Sequence, residues 1–379
     1  MPTKYSLILT TDTGSILTEI LPPIYSGFRA TRKVNTISPF YVELPYDFLD
    51  RQLFTVAHPR EYMVQVWRKP GGGHPQLFRT YLITRWERHA KPTPHGKIIL
   101  RGFDMNLLLY RRIVAGYAAS AQARLTDYAD DMMKVLLTNA LSDADAPTPT
   151  AGTRAWGNLS IAAETGSGPS LTLDVPFEKL LTFSGGGAFK KIVNASREAG
   201  TDLFFEVQVN ERDQNSINFI FNTFTGQIGQ DLTDSVRFSI TNNTIIDAIE
   251  VYDYSQSANY VYAGGEGKEA ERTIIQSYDA SDYLRGVYTR SEMFLDVPGT
   301  DDASLQNEAD AALFEARRKI QVKGSVAQTE QLIFGRDYQF GDLVTARVFG
   351  DEYDAMVESV TVGMEDGADI VEIGLDYRL

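Results

Sequence analysis

The sequence has no cysteine in 379 residues. That absence excludes a disulfide framework, thiolate zinc sites, cysteine nucleophiles and iron–sulfur ligation together. It does not point to a compartment, because a chain without thiols tolerates every redox environment. Long apolar runs are missing too: none approaches the roughly 20 residues that span a bilayer as a helix. Met1 to Thr10 holds a short apolar stretch without a small-residue cleavage site. The expectation is a soluble cytoplasmic product with no address label and no membrane insertion. Basic residues are short relative to acidic ones, 36 Lys and Arg against 50 Asp and Glu, for a formal charge of −14. Nucleic-acid binding by broad phosphate neutralisation needs clustered Lys and Arg, so this composition argues against it.

What remains is ordinary for a globular chain, with 43% hydrophobic, 11% aromatic and 23% charged residues. At roughly 150 residues per domain the length suggests two to three domains. The charge is segregated. Residues 1–116 carry 16 basic and 8 acidic side chains, a net of +8, and residues 117–379 carry 20 and 42, a net of −22. Segregation on this scale suggests distinct surfaces with distinct partners, or two independently solvated faces.

Three segments follow from periodicity. In residues 1–116, Tyr5 to Thr11, Ser15 to Ile20, Pro39 to Leu44, Tyr62 to Arg68, Leu77 to Trp86 and Lys97 to Arg101 are short, β-branched and aromatic runs. Turn chemistry such as Thr11-Asp12-Thr13-Gly14 and Lys69-Pro70-Gly71 separates them, which predicts a small antiparallel barrel or sandwich with a short helical closure over Asp104 to Tyr110. Residues 117–235 read as a compact α+β module. Thr126 can cap a helix whose inward stripe is Leu125, Ala129, Met132, Met133, Leu136 and Ala140. A second helix, Ala188 to Ala199, stops at Gly200, and a strand pair follows over Leu203 to Val209 and Ser216 to Phe224. Residues 236–379 are β again. Strands are expected at Thr244 to Tyr252, Asn259 to Ala263 and Arg272 to Tyr278, then one helix over about 302–323 with Leu305, Ala309, Leu313, Ala316 and Ile320 inward. About four strands should complete the segment from Leu332 to Leu379. The fold class is therefore β-rich α+β, with two antiparallel β-barrel-like domains flanking a central α+β module.

Motifs that would carry chemistry are lacking. His58, His74, His89 and His95 share one turn-rich stretch without HxH or HxxxH spacing, as solvated loop histidines do. Ser184-Gly185-Gly186-Gly187 opens a helix but lacks the spacing and the Ser or Thr of a phosphate loop, and no helix follows Gly264-Gly265-Glu266-Gly267. There is no GxSxG serine. Carboxylates are so many that a two-carboxylate hydrolase stays open, although most lie in turns where solvation suffices. No catalytic, metal or cofactor residue is assigned, and no enzyme is expected.

Two passages carry a resemblance. One is Val66-Trp67-Arg68-Lys69-Pro70-Gly71-Gly72 with Leu82-Ile83-Thr84-Arg85 and Leu100-Arg101-Gly102-Phe103-Asp104. The other is Leu332-Ile333-Phe334-Gly335-Arg336-Asp337-Tyr338-Gln339-Phe340-Gly341-Asp342-Leu343-Val344, after an Ala-rich helix from Ser304 to Lys323. The chain resembles the tail hub or tail-tip proteins of siphoviruses, a family related to phage baseplate hubs and to type VI secretion spike bases. The resemblance implies two similar β-barrels around a central region, and a homotrimeric ring joining the tail tube to the tip. It also implies contact with a distal tail protein or the tube, a tape-measure protein and tip or fibre proteins. Genomic DNA would pass without specific binding, in a virion protein made in the host cytoplasm. Many relatives continue into a peptidase or muramidase domain; this sequence stops at Leu379, which lowers the expectation of catalysis. Independently of the family, Gly335 and Gly341 suit tight turns, and Asp337 and Asp342 suit bonds to their own loop backbone, so a structural turn is expected there. Two other readings stay open: a carbohydrate-binding or carbohydrate-degrading tail protein using exposed Trp67, Trp86 and Trp156, and the base of a secretion spike.

Overall fold

The computed structural model describes residues 3–22, 25–46, 62–90, 96–114, 122–142, 154–213, 215–255, 257–267, 271–286, 288–297, 302–316, 319–326, 332–365 and 367–377. The first hundred residues alternate apolar and polar side chains and form strands β1 (Lys4–Thr11), β2 (Ile16–Ile20), β3 (Gly27–Lys33), β4 (Pro39–Pro45), β5 (Tyr62–Lys69), β6 (Gln76–His89) and β7 (Lys97–Asp104). Strand β3 has no sequence-derived counterpart. Its run Gly27-Phe28-Arg29-Ala30-Thr31-Arg32-Lys33 is rich in charge, and only Phe28 and Ala30 turn inward. A single-turn helix, α1 (Leu107–Tyr110), closes the segment as expected.

The middle residues form β8 (Gln122–Tyr128), α2 (Ala129–Leu141), β9 (Leu159–Ile161), β10 (Ser170–Pro176), α3 (Ala188–Glu198), β11 (Leu203–Arg212) and β12 (Ile217–Thr225). The expected start of α2 at Thr126 is corrected. Thr126 lies in β8 opposite Thr172, and the helix opens three residues later. Ala123 and Leu125 are both buried at a spacing of two, so the ladder to β10 holds this stretch extended until Ala129. Helix α3 ends as expected, with Gly200 at a φ of 86°. The β11–β12 pair is present, and β9 adds a parallel third strand.

The rest comprises β13 (Arg237–Ser239), β14 (Ile245–Asp253), β15 (Tyr260–Gly264), β16 (Ile274–Tyr278), α4 (Ala280–Tyr283), β17 (Glu292–Asp296), α5 (Asp302–Glu315), β18 (Lys319–Val326), β19 (Leu343–Val348), β20 (Asp351–Glu365) and β21 (Ala368–Tyr377). The helix expected over about 302–323 is thus shorter. Ile320 sits in β18 opposite Tyr252, because Ile320, Val322 and Val326 alternate and a strand is held on both sides, by β14 and β21. After Leu332 the described residues contain three strands rather than four.

Thirteen strands from both ends of the sequence form one sheet, along the path β14-β18-β21-β20-β3-β4-β7-β6-β5-β1-β2, with β19 and β13 beside β20. The two ends meet where β20 pairs with β3, from Ser359 opposite Lys33 to Glu365 opposite Gly27. The sheet curls strongly. From β1 to β21 is seven strand spacings, about 34 Å if flat, yet the Tyr5 hydroxyl donates to Asp369 at 2.6 Å. Inside the curl a single core joins Leu7, Phe28, Val42 and Tyr81 to Phe238, Tyr338, Val362 and Ile373. A second core covers the outer face of β5 and β6. There Met63 and Leu82 pack with α1, with Met132 and Leu136 of α2, and with Phe189 and Phe205. A third, small core sets Leu305, Ala309 and Leu313 of α5 against Val261 and Ala263 of β15, the middle strand of a three-stranded sheet with β16 and β17.

Candidate functional site

The turn residues singled out from the sequence lie beside the curled sheet. Gly335 and Gly341 have φ of 81° and 88°, in the left-handed region. Asp337 accepts from the Ile333 N–H at 2.6 Å and is bridged by the neighbouring Arg336 at 2.8 Å. Burial pushes its carboxyl up, but Arg336 and the Ile333 N–H outweigh burial and hold it below the usual range. Asp342 is buried and reaches beyond its own loop: one oxygen accepts from the Gln339 N–H at 2.6 Å and the other from the Gln230 N–H at 2.7 Å. The Gly229 N–H also donates to the Gly341 carbonyl at 3.0 Å. A Cβ on Gly341 would stand 2.6 Å from the Ile228 Cβ. The four residues form two neighbouring turns, and Gly341-Asp342 ties the chain at 228–230 to the last strands.

A buried ionic junction beneath the central module escaped sequence reasoning. Arg79 of β6 donates to Asp104 of β7 at 3.1 Å and to Glu206 of β11 at 2.7 Å. Arg32 of β3 also binds Glu206, and its guanidinium lies 4.2 Å from the Phe340 ring centroid. Ser38 donates its N–H to Asp104 at 3.1 Å. Burial alone would raise the Glu206 carboxyl, but two guanidinium groups overcome it and hold the value near about 2. Asp104 has one guanidinium, and burial wins: its carboxyl is pushed up. Asn35 and Asn106 complete the seam, accepting the Phe205 and Val207 N–H groups at 2.9 and 2.8 Å. The legible signal was a lone charge inside an apolar strand, Arg79 between Phe78 and Tyr81, and Glu206 between Phe205 and Val207.

A second ionic contact closes the curl. Arg68 donates to the Tyr5 hydroxyl at 3.0 Å, to Asp369 at 3.3 Å and to the Phe334 carbonyl. Burial, first of all, raises the Tyr5 hydroxyl well above its usual range.

Among the described residues the histidines and tryptophans carry no shared site. His74 and His89 are exposed, His89 beside Glu87 at 3.2 Å, while His58 and His95 lie outside the described residues. Among the described residues no group of three His, Asp or Glu side chains is placed to hold a metal. Trp67, Trp86 and Trp156, expected as exposed rings, are each half-buried under an arginine: Arg212 at 4.9 Å, Arg88 at 5.0 Å and Arg112 at 3.8 Å from the ring centroid. Guanidinium stacking uses the ring face that a sugar would need.

Exposed aromatics lie elsewhere, on the outer face of the small sheet. Tyr278, Gln276 and Ile274 of β16 stand opposite Tyr260, Tyr262 and Gly264 of β15, with Glu292, Phe294 and Asp296 of β17 beyond. Tyr278, Ile274 and Phe294 are about half exposed. Arg290 lies 4.0 Å from the Tyr260 ring centroid and pairs with Glu292, while Arg272 pairs with Asp296. Charges on this face are already paired, and what it presents outward is apolar ring surface.

A fold of this shape, with buried joints, is matched by known proteins. Residues 25–374 match the family described as Siphovirus ReqiPepy6 Gp37-like protein. The chain belongs to this family of siphovirus tail proteins. Among solved structures it is similar to the tail protein from Neisseria meningitidis MC58, at 12% identity and a TM-score of 0.54, covering 100% of this chain and 97% of that one. It is equally similar to the 43 kDa tail protein of prophage MuSo2 from Shewanella oneidensis, at 10% identity, TM-score 0.54 and 98% coverage of both chains. Likeness extends to a chain of the Francisella PdpA–VgrG complex, at 8% identity and TM-score 0.50, covering all of this chain and 58% of that one. At these identities the likeness concerns the fold. No curated protein matches the chain. It is a structural phage tail protein associated with the virion.

Proposed function

We propose that this tail protein is the hub: three copies close a ring that joins the tail tube to the tip. The observation that carries the reading is the β3–β20 joint, which fuses two strand-rich ends of one chain into a single curled sheet. Taking 1–116 and 236–379 as two tube-like units and 117–235 as the module between them, three chains supply six units. Six suits a sixfold tube and leaves threefold symmetry for the tip. Gly335, Asp337, Gly341 and Asp342 then serve as turn builders that hold the last strands in place. The exposed apolar face of β15–β17 and the exposed Ile16 and Leu17 of β2 are surfaces that assembly would cover, against the tube or distal tail protein, the tape-measure protein or tip and fibre proteins.

DNA passing through such a ring must not adhere. Lys and Arg would brake it through counterion release, whereas carboxylates repel it over about 8 Å at physiological salt. Part of the −22 of residues 117–379 therefore lines the passage, and the +8 of residues 1–116 faces outward or toward neighbouring subunits. The chain itself catalyses nothing in this reading and needs no cofactor. The fold likeness to a PdpA–VgrG chain supports one second reading, a secretion-spike base. Antibody labelling of intact phage tails tests the placement: label at the end distal to the capsid is expected, and label along the shaft, or none, overturns it.

A further inference from the structure

The third core lies in a stretch of chain inserted between two paired strands. Strand β14 ends at Asp253, the unit of β15–β17 and α5 follows, and β18 begins at Lys319, directly opposite Asp253. Both connections therefore leave the large sheet at one place, the end of its β14–β18 pair. The Ala258 N–H donates to the Ala316 carbonyl at 2.8 Å and closes the base of the unit. Three strands backed by a helix meet the minimum for a core of their own. That core, of Val261, Ala263, Leu305, Ala309 and Leu313, shares no residue with either of the other two.

The unit rests on the central module through α5, which lies against α3 and β10. Each helix turns its apolar stripe away from the other. Phe189, Ile192 and Val193 of α3 enter the second core, and Leu305, Ala309 and Leu313 of α5 enter the third. Contact is left to the polar side of α3, where the Arg197 guanidinium lies 5.8 Å from the Phe314 ring centroid. Asn194, one turn before Arg197, is buried with its side-chain oxygen lacking a donor. The module's joint to the sheet differs in kind, because there one apolar core and the Arg79 junction span both parts. Bodies within one chain move relative to each other unless a large apolar interface holds them.

We propose that residues 254–318 are a hinged arm, which turns as one body about the Asp253–Lys319 strand end and parts α5 from α3 while the curled sheet and the central module stay joined. Such a turn keeps the β14–β18 ladder and the third core intact, and it carries the aromatic face of β15–β17 with it. Docked and undocked positions are then two states of one chain, and whatever covers that face selects between them. This proposal is independent of the hub assignment.

Spin-label distances on the full chain test it, and because the sequence has no cysteine, two introduced thiols are the only ones present. The arm pair is Lys69→Cys at the end of β5 with Ile274→Cys in β16; the control pair joins Lys69→Cys to Tyr128→Cys in β8. All three positions are exposed. The control pair should give one narrow distance, and the arm pair a broader or two-peaked distribution. Phe314→Ala, which removes the Arg197 contact, should raise the undocked population of the arm pair about two- to fivefold. A Phe314→Ala distribution identical to its parent, or a control pair as broad as the arm pair, overturns the proposal.

Discussion

The large curled sheet and the small β15–β17 sheet place charge and apolar surface in opposite ways. The large sheet buries two of its arginines: Arg79 and Arg68 are almost inaccessible, and each holds partners on elements distant in sequence. Its aliphatic side chains fill one core that runs from Tyr5 to Leu375. The small sheet keeps Arg290 and Arg272 near the surface in local pairs and leaves Tyr278 and Phe294 half in water. A buried ion pair adds little net stability against an apolar replacement, yet losing one partner is costly, so such pairs fix geometry. An exposed aromatic face costs little in the isolated chain and gains value only when a partner covers it. The comparison separates a part built to hold its shape from a part available for contact.

Breaking the rigid side should have the largest effect. Arg79→Met leaves Asp104 and Glu206 buried without their shared cation, and is expected to cost about 3–5 kcal/mol. Urea unfolding of the full chain checks this; a loss within about 0.5 kcal/mol would mean that the junction does not fix the module. Gly341→Ala comes next. A side chain at a φ of 88° is strained by about 1–2 kcal/mol, and overlap with the Ile228 Cβ at 2.6 Å adds about 1–3 kcal/mol, both read from the thermal midpoint.

Glu206 makes the rigid side sensitive to pH. Its carboxyl is depressed to about 2 in the fold, below its ordinary range. The stability it contributes is present above the ordinary glutamate range and is lost as pH falls toward about 2. Acid unfolding followed by circular dichroism should be less steep in Glu206→Gln, and an unchanged slope would show that other carboxylates dominate. The smallest effect is expected at the contact side: Tyr278→Ser should move the stability of the isolated chain by no more than about 0.5 kcal/mol. Incorporation of that variant into tails should nevertheless fall, measured by its abundance in purified particles. Full incorporation would remove the β15–β17 face from the assembly surfaces.

Much of the fold was legible because period and turn chemistry agree locally. The runs around Tyr5 to Thr11 and Tyr62 to Arg68, the β11–β12 pair and the Gly200 stop all follow from neighbours in sequence. The failures have one cause. Thr126 and Ile320 look helical within their own windows, and partners more than forty residues away in sequence, β10 and β14, hold them extended. Strand β3 was missed because Arg29, Arg32 and Lys33 mask its period, although Arg32 is there to reach Glu206. The candidate turn residues were visible from Gly and Asp spacing. The Arg79 junction was not, since nothing local reveals that β6, β7 and β11 converge.

The hub assignment is tested most directly by cryo-electron microscopy of intact tails. Three copies of this chain are expected in a closed ring at the end of the tube, with more Asp and Glu than Lys and Arg facing the axis. A different copy number at that position, or a ring whose lumen is predominantly basic, would contradict it.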